Sequence, residues 1–169
     1  MLLAGYTDEA LAWRDWLFRA IAGDPDHMQI LYSIAGERRL PEIELPWLAV
    51  YEGSKPVRIG NAAHEQFQLD VYGELVEAFY VGCRTGAESS PDLWNHLVAL
   101  MAHLEKVCNE PDEGIWEIRG PRRHFTHAKL MAWLAFDRDS EIVNARKKGR
   151  RTDSLFLRGF PISESNDGA

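Results

Sequence analysis

Residues 110–121 read EPDEGIWEIRGP, and they crowd Asp112, Glu113 and Glu117 around Trp116 and Arg119. Glu117 directly follows the tryptophan. A carboxyl beside an apolar ring is partly desolvated, which raises its pKa and lets it hold a proton near neutral pH. That is the property a general acid needs. Gly114 favours a turn over a helical step between Glu113 and Glu117. The same residue types also fit an acidic loop standing in solvent, so the elements around it must be read next.

Tryptophan adds a second clue. Six occur, at positions 13, 16, 47, 94, 116 and 133. Those on helical patterns are expected to fill the core. Trp47 and Trp116 fall in loops, where a flat aromatic face can stack on a sugar ring.

Other chemistries find less support. His124 and His127 sit three apart, and His96 and His103 seven apart, without the glutamate or cysteine pair of a zinc site. The expectation is no metal and no cofactor. GSKPVRIGN (53–61) lacks the ending of a phosphate loop, and no G-x-S-x-G is present. Cys83 and Cys108 are each alone, which suits a reducing compartment. The net charge of −7 argues against nucleic-acid or anionic-membrane partners. No signal peptide and no membrane span is visible, so a soluble, cytoplasmic protein is expected.

Apolar periodicity predicts four helices, at about 7–22, 61–81, 91–107 and 123–138. Thr7, Asn61 and Ser90 before Pro91 are the candidate caps. The fourth is apolar nearly all round, as a helix buried on most sides would be. Short strands are expected at 28–34 and 155–160. The fold class is mainly α. If successive helices alternate in direction, loops 23–60 and 108–122 share one end and loop 82–90 lies at the other. The loop aromatics and dense charges then collect on one face, the layout of a binding or catalytic site. Residues 140–169 carry six Lys/Arg and four Asp/Glu, against thirteen and twenty-two before them, and read as a basic, poorly ordered tail.

RIGNAA (58–63), QLDVYGE (68–74), PDEGIWE (111–117) and HFTHAKLMAW (124–133) together resemble glycoside hydrolase family 15 over about residues 1–138. This is the family of glucoamylases, glucodextranases and bacterial trehalases. The resemblance implies an (α/α)6 barrel, of which four helices are a part, with residues 1–139 a partial catalytic domain. It implies inverting hydrolysis of an α-glucoside, trehalose or a maltooligosaccharide, by two carboxyl groups. Glu117 takes the place of the general acid. Trp116 and Arg119 border the sugar, and Trp47, Tyr51, Arg58 and Asn61 line the pocket.

The family's W-x-R-D segment, which grips the terminal glucose, and its catalytic base have no counterpart in these 169 residues. An inverting mechanism sets the second carboxylate about 6.5–9.5 Å from the first, with a water between. The expectation is therefore a fragment that is inactive or nearly so alone. The alternative is a non-catalytic helical module that binds sugar or complements a partner. Exposed apolar helix faces would then favour self-association.

Overall fold

Helices α1 (Thr7–Ile21), α2 (Asp70–Arg84), α3 (Pro91–Val107) and α4 (Thr126–Lys147) dominate the computed structural model, which describes residues 1, 4–21, 25–85 and 91–147. A two-stranded antiparallel ribbon, β1 (Ile43–Glu44) and β2 (Arg58–Ile59), pairs Ile43 with Ile59 and Glu44 with Arg58. The fold class is the expected one: mainly α, with four helices of the kind from which a helical barrel is built. No described helix is long and apolar enough to cross a membrane.

The core lies among α2, α3 and α4. Leu69, Tyr72, Val76 and Tyr80 meet Leu97, Leu100, Met101 and Leu104 from α3, and Ala128, Ala132, Ala135 and Ile142 from α4. Small residues set the α2–α4 distance. A β-carbon at Gly73 would stand 2.5 Å from the Met131 carbonyl oxygen, so only glycine allows this crossing. No described side chain of helix α1 belongs to that cluster. The helix rests on the following loop, where the Trp16 indole donates to the Ile34 carbonyl at 2.9 Å and meets Tyr32 edge-on.

Several expectations change here. The fourth helix buries one alanine-rich stripe only, and Leu130 and Trp133 are exposed on it. Trp13 and Trp133 are 43% and 60% exposed, so they do not fill the core. The α4 helix also continues past 139 to Lys147, with Ile142 and Ala145 buried. Residues 28–34 form no strand. Their polar groups find local and side-chain partners instead: the Gln29 amide bonds the Tyr32 hydroxyl, and the Gln29 side chain donates to the Arg38 and His64 carbonyls. The expected strand at 155–160 and the cap Ser90 lie outside the described residues, while Pro91 does open α3.

The expected helix at 61–81 splits in two. Asn61 caps a short turn of 3-10 helix, Ala62–Glu65, by accepting the Ala63 amide at 2.9 Å. The chain then extends through Gln66, and α2 starts at Asp70. The apolar period could not show why. The amides of Phe67 and Leu69 are taken by the carboxylates of Glu113 and Asp112, at 2.8 and 3.0 Å.

Candidate functional site

The two loops expected on one face do meet, and carboxylates join them. Asp112 is 1% exposed. Its backbone pairs with Arg123 in both directions, at 2.9 and 2.8 Å, which closes the base of the loop. Glu113 returns a backbone bond to the Phe67 carbonyl at 3.1 Å, and its carboxylate also holds Arg122 at 3.0 Å. These charge-assisted bonds pin the loop to the segment before α2. Gly114, at φ +69°, lies flat against Phe125, where a β-carbon would meet the ring at 2.8 Å.

The turn that follows delivers Glu117. Its amide bonds the Gly114 carbonyl at 3.0 Å, and its backbone sits at φ +50°. A non-glycine residue in that left-handed region carries backbone strain of about 1–3 kcal/mol, and such residues gather at functional sites. The Asn61 side-chain amide donates to the Glu117 carboxylate at 3.3 Å. So the turn cap of one loop also holds the acid of the other. Gln66 adds a bond to the Ile118 carbonyl at 3.5 Å.

The arginines are organised by a residue that sequence reasoning missed. Glu42 accepts both terminal nitrogens of Arg119, at 2.9 and 2.5 Å, and the Nε of Arg58 at 3.0 Å. Its second oxygen also accepts the Ala62 amide at 3.4 Å. The Arg119 bond, aided by Ala62 and Arg58, holds the Glu42 carboxyl down at about 2 against partial burial. In return Glu42, and more weakly Glu117, push the Arg119 pKa up. Arg58 also reaches Glu44 at 3.0 Å across the ribbon. The alternation in PEIE (41–44), opposite the lone Arg58, was the only signal for Glu42 in the sequence.

The aromatic residues stand outward. Trp47, Tyr51 and Trp116 are 73%, 84% and 83% exposed. Trp116 therefore forms no buried apolar cover over Glu117, the cover that sequence reasoning asked of it. Glu117, Asn61, Arg119 and Arg58 are linked through Glu42 and its Ala62 bond. Trp47 and Tyr51 lie on the exposed loop after β1 and reach that group through no described hydrogen bond or ring contact.

Beneath the site, burial pushes the Asp70 carboxyl up, with Asp112 adding to the shift and His127, 3.7 Å away, opposing it. Burial likewise pushes the Cys83 thiol up to about 11, so it stays protonated and unreactive. Among the described residues no group of three or more His, Cys, Asp or Glu is gathered as a metal site would be.

Glu117, the glutamate after Trp116, and Asn61, which caps the turn before α2, thus stand within hydrogen-bond distance of each other. The family model for glycosyl hydrolases family 15 matches residues 1–155. The chain belongs to glycosyl hydrolases family 15. This family 15 chain is 38% identical over 125 residues to a trehalase of Mycobacterium tuberculosis, covering 74% of the chain and 18% of that protein. It is 40% identical over 121 residues to a trehalase of Mycolicibacterium smegmatis, covering 72% and 18%. It is also 40% identical over 118 residues to trehalase 1 of Sulfolobus acidocaldarius, covering 69% and 21%. The chain spans about a fifth of the length of these curated relatives. No solved structure matches it.

Proposed function

We propose that this family 15 chain carries the proton-donor part of an inverting α-glucosidase site, with trehalose as the first substrate and maltooligosaccharides as the second. The carrying observation is Glu117, held by Asn61 in a strained left-handed turn where two loops meet. Glu117 donates the proton to the leaving glycosidic oxygen. Asn61 fixes the carboxyl, Arg119 and Arg58 bind hydroxyls at the mouth, and Trp116, Trp47 and Tyr51 offer faces for the sugar rings. The names of the relatives support trehalose over starch-type chains.

By itself the chain turns substrate over slowly or not at all. Hydrolysis with inversion needs a carboxylate that activates water opposite the acid. The carboxylates fixed around Glu117 are committed elsewhere. Glu42 holds two arginines, Glu113 holds Arg122 and the Phe67 amide, and Asp112 is buried on the Leu69 amide. Glucose release from trehalose and maltooligosaccharides tests this directly. Turnover at the background rate is expected. Robust turnover that disappears in Glu117→Gln would overturn the inactivity and uphold the acid. Calorimetric titration with trehalose should show weak binding, and no heat at high millimolar sugar would remove the binding face.

A second reading, a module that complements a partner chain, is favoured by the exposed Trp13, Leu130 and Trp133. It predicts oligomers in sedimentation equilibrium, and a sharp monomer contradicts it. Both cysteines are free, as a reducing compartment keeps them, which supports a cytoplasmic setting.

A further inference from the structure

We infer that Glu42 is a positioning residue for the sugar-binding mouth: one carboxylate sets Arg119, Arg58 and the Asn61–Ala62 turn that holds Glu117. The inference rests on the reading of Glu117 and Arg119 given above and deepens it. Arg119 is a long side chain, 59% exposed, and left alone it would sample many rotamers. Glu42 grips it by both terminal nitrogens, the planar two-point contact that fixes a guanidinium in orientation as well as place. The Glu42 side chain is itself only 14% exposed, so it is a fixed anchor.

The same carboxylate serves the acid. Its Ala62 bond fixes the backbone next to Asn61, whose side chain donates to Glu117. Arg58 enters from β2, so the ribbon, the turn and the acid loop all converge on this one group. Without Glu42, two like charges would face each other there, and Arg119 would swing toward the anion nearest in its own loop, Glu117. The carboxylate thus keeps the Arg119 guanidinium turned away from the acid.

The pattern also separates Glu42 from its neighbour Glu44. Glu44 is 62% exposed, and among the described residues its carboxylate pairs with Arg58. Removing it should leave Arg119 and Asn61 as they are.

The test uses the full 169-residue chain and its Glu42→Gln, Glu42→Asp and Glu44→Gln variants, each checked for helicity by circular dichroism. Trehalose affinity is read by titration, and the Nε–Hε resonance of Arg119 by NMR. Glu42→Gln should weaken trehalose binding about tenfold and release Arg119 into motional averaging. Glu42→Asp should recover part of both, and Glu44→Gln should change neither. Unchanged affinity in a folded Glu42→Gln variant, or an equal loss in Glu44→Gln, overturns the inference. If the unaltered chain binds no trehalose, the functional reading fails, and the resonance decides the rest. Arg119 released in Glu42→Gln then upholds the positioning role, and Arg119 still fixed refutes it. If Glu42→Gln unfolds, the Glu42→Asp variant carries the same comparison: a shortened carboxylate that leaves Arg119 fixed and affinity unchanged overturns the inference.

Discussion

Along the α2–α4 seam the two helices meet through glycine and alanine, while at the loop face the chain is held by carboxylates on backbone amides and arginines. Gly73 lies under the Met131 carbonyl, and Ala128, Ala132 and Ala135 line the opposite wall. Close-packed small residues fix a distance with no polar partner to satisfy. The loop face has close approaches too, Gly114 on Phe125 and Gly60 on the Pro41 carbonyl, but adds directed charge to them. It relies on Asp112, Glu113 and Glu42, and it tolerates Glu117 in a strained conformation. The spacing of the seam is set by shape, with the Arg138–Glu77 pair and the Tyr80–Glu141 bond added along it, whereas the loop face is held by directed charge. The two regions should therefore fail differently.

The largest effect should come from the seam. Gly73→Ala pushes a methyl into the Met131 carbonyl and should lower stability by about 2–3 kcal/mol, read from urea unfolding midpoints. A change below about 0.5 kcal/mol would mean that the helices shift apart freely, and the contrast with the loop face would weaken.

Asp112→Ala should follow, at about 2 kcal/mol, because it strands the Leu69 amide in a buried place. Asp112→Asn keeps an acceptor and should lose less. Hydrogen exchange at Leu69 separates the two, since its amide should lose protection only where no acceptor remains. Equal losses in both variants would show that charge, rather than the hydrogen bond, holds the loop.

Glu117→Gly should act in the opposite direction. It relieves a left-handed glutamate, a gain partly offset by the added freedom of the unfolded chain, for a net of about 1 kcal/mol more stability. Sugar binding should weaken in the same variant. Stability that falls instead would show that the Asn61 bond outweighs the strain.

Acid and alkali should sharpen the contrast with the smallest signals. The Glu42 pKa is depressed to about 2 from its ordinary 4.5, so its contribution is present above about pH 4.5 and is lost as pH falls toward 2. Asp70 is shifted upward from 3.8 by burial, so the folded chain holds its proton longer than the unfolded chain. Its effect has the opposite sign: stability declines as pH rises above 3.8. Thermal melts across pH should show the acid-side loss shrink in Glu42→Gln and the decline on raising pH shrink in Asp70→Asn. Melting curves of the variants that parallel the original chain at every pH would remove both assignments.

Much of this was legible in the chain itself. The third helix was expected at 91–107 and runs over those residues, because a proline start and a three-four apolar period compete with nothing. Asn61 was expected as a cap and is one, since a short amide finds the nearest backbone N–H. The residues 66–69 misled, because their apolar spacing fits a helix while their amides are claimed from some forty-odd positions away. Glu42 was nearly invisible for a related reason: Ala62 and Arg119 lie 20 and 77 positions away, Arg58 is on the partner strand, and only the PEIE alternation marks it locally.

The sequence by itself determined the helical class and the family motifs, because periodicity and neighbouring residue types are local properties. Only the tertiary structure decided that Trp116 stands in solvent, that Arg119 is bound by Glu42, and that α4 buries one alanine stripe. Those outcomes depend on which distant groups arrive at a given place. A chain of residue types does not carry that information until backbone amides, carboxylates and close-packed helices have been satisfied together.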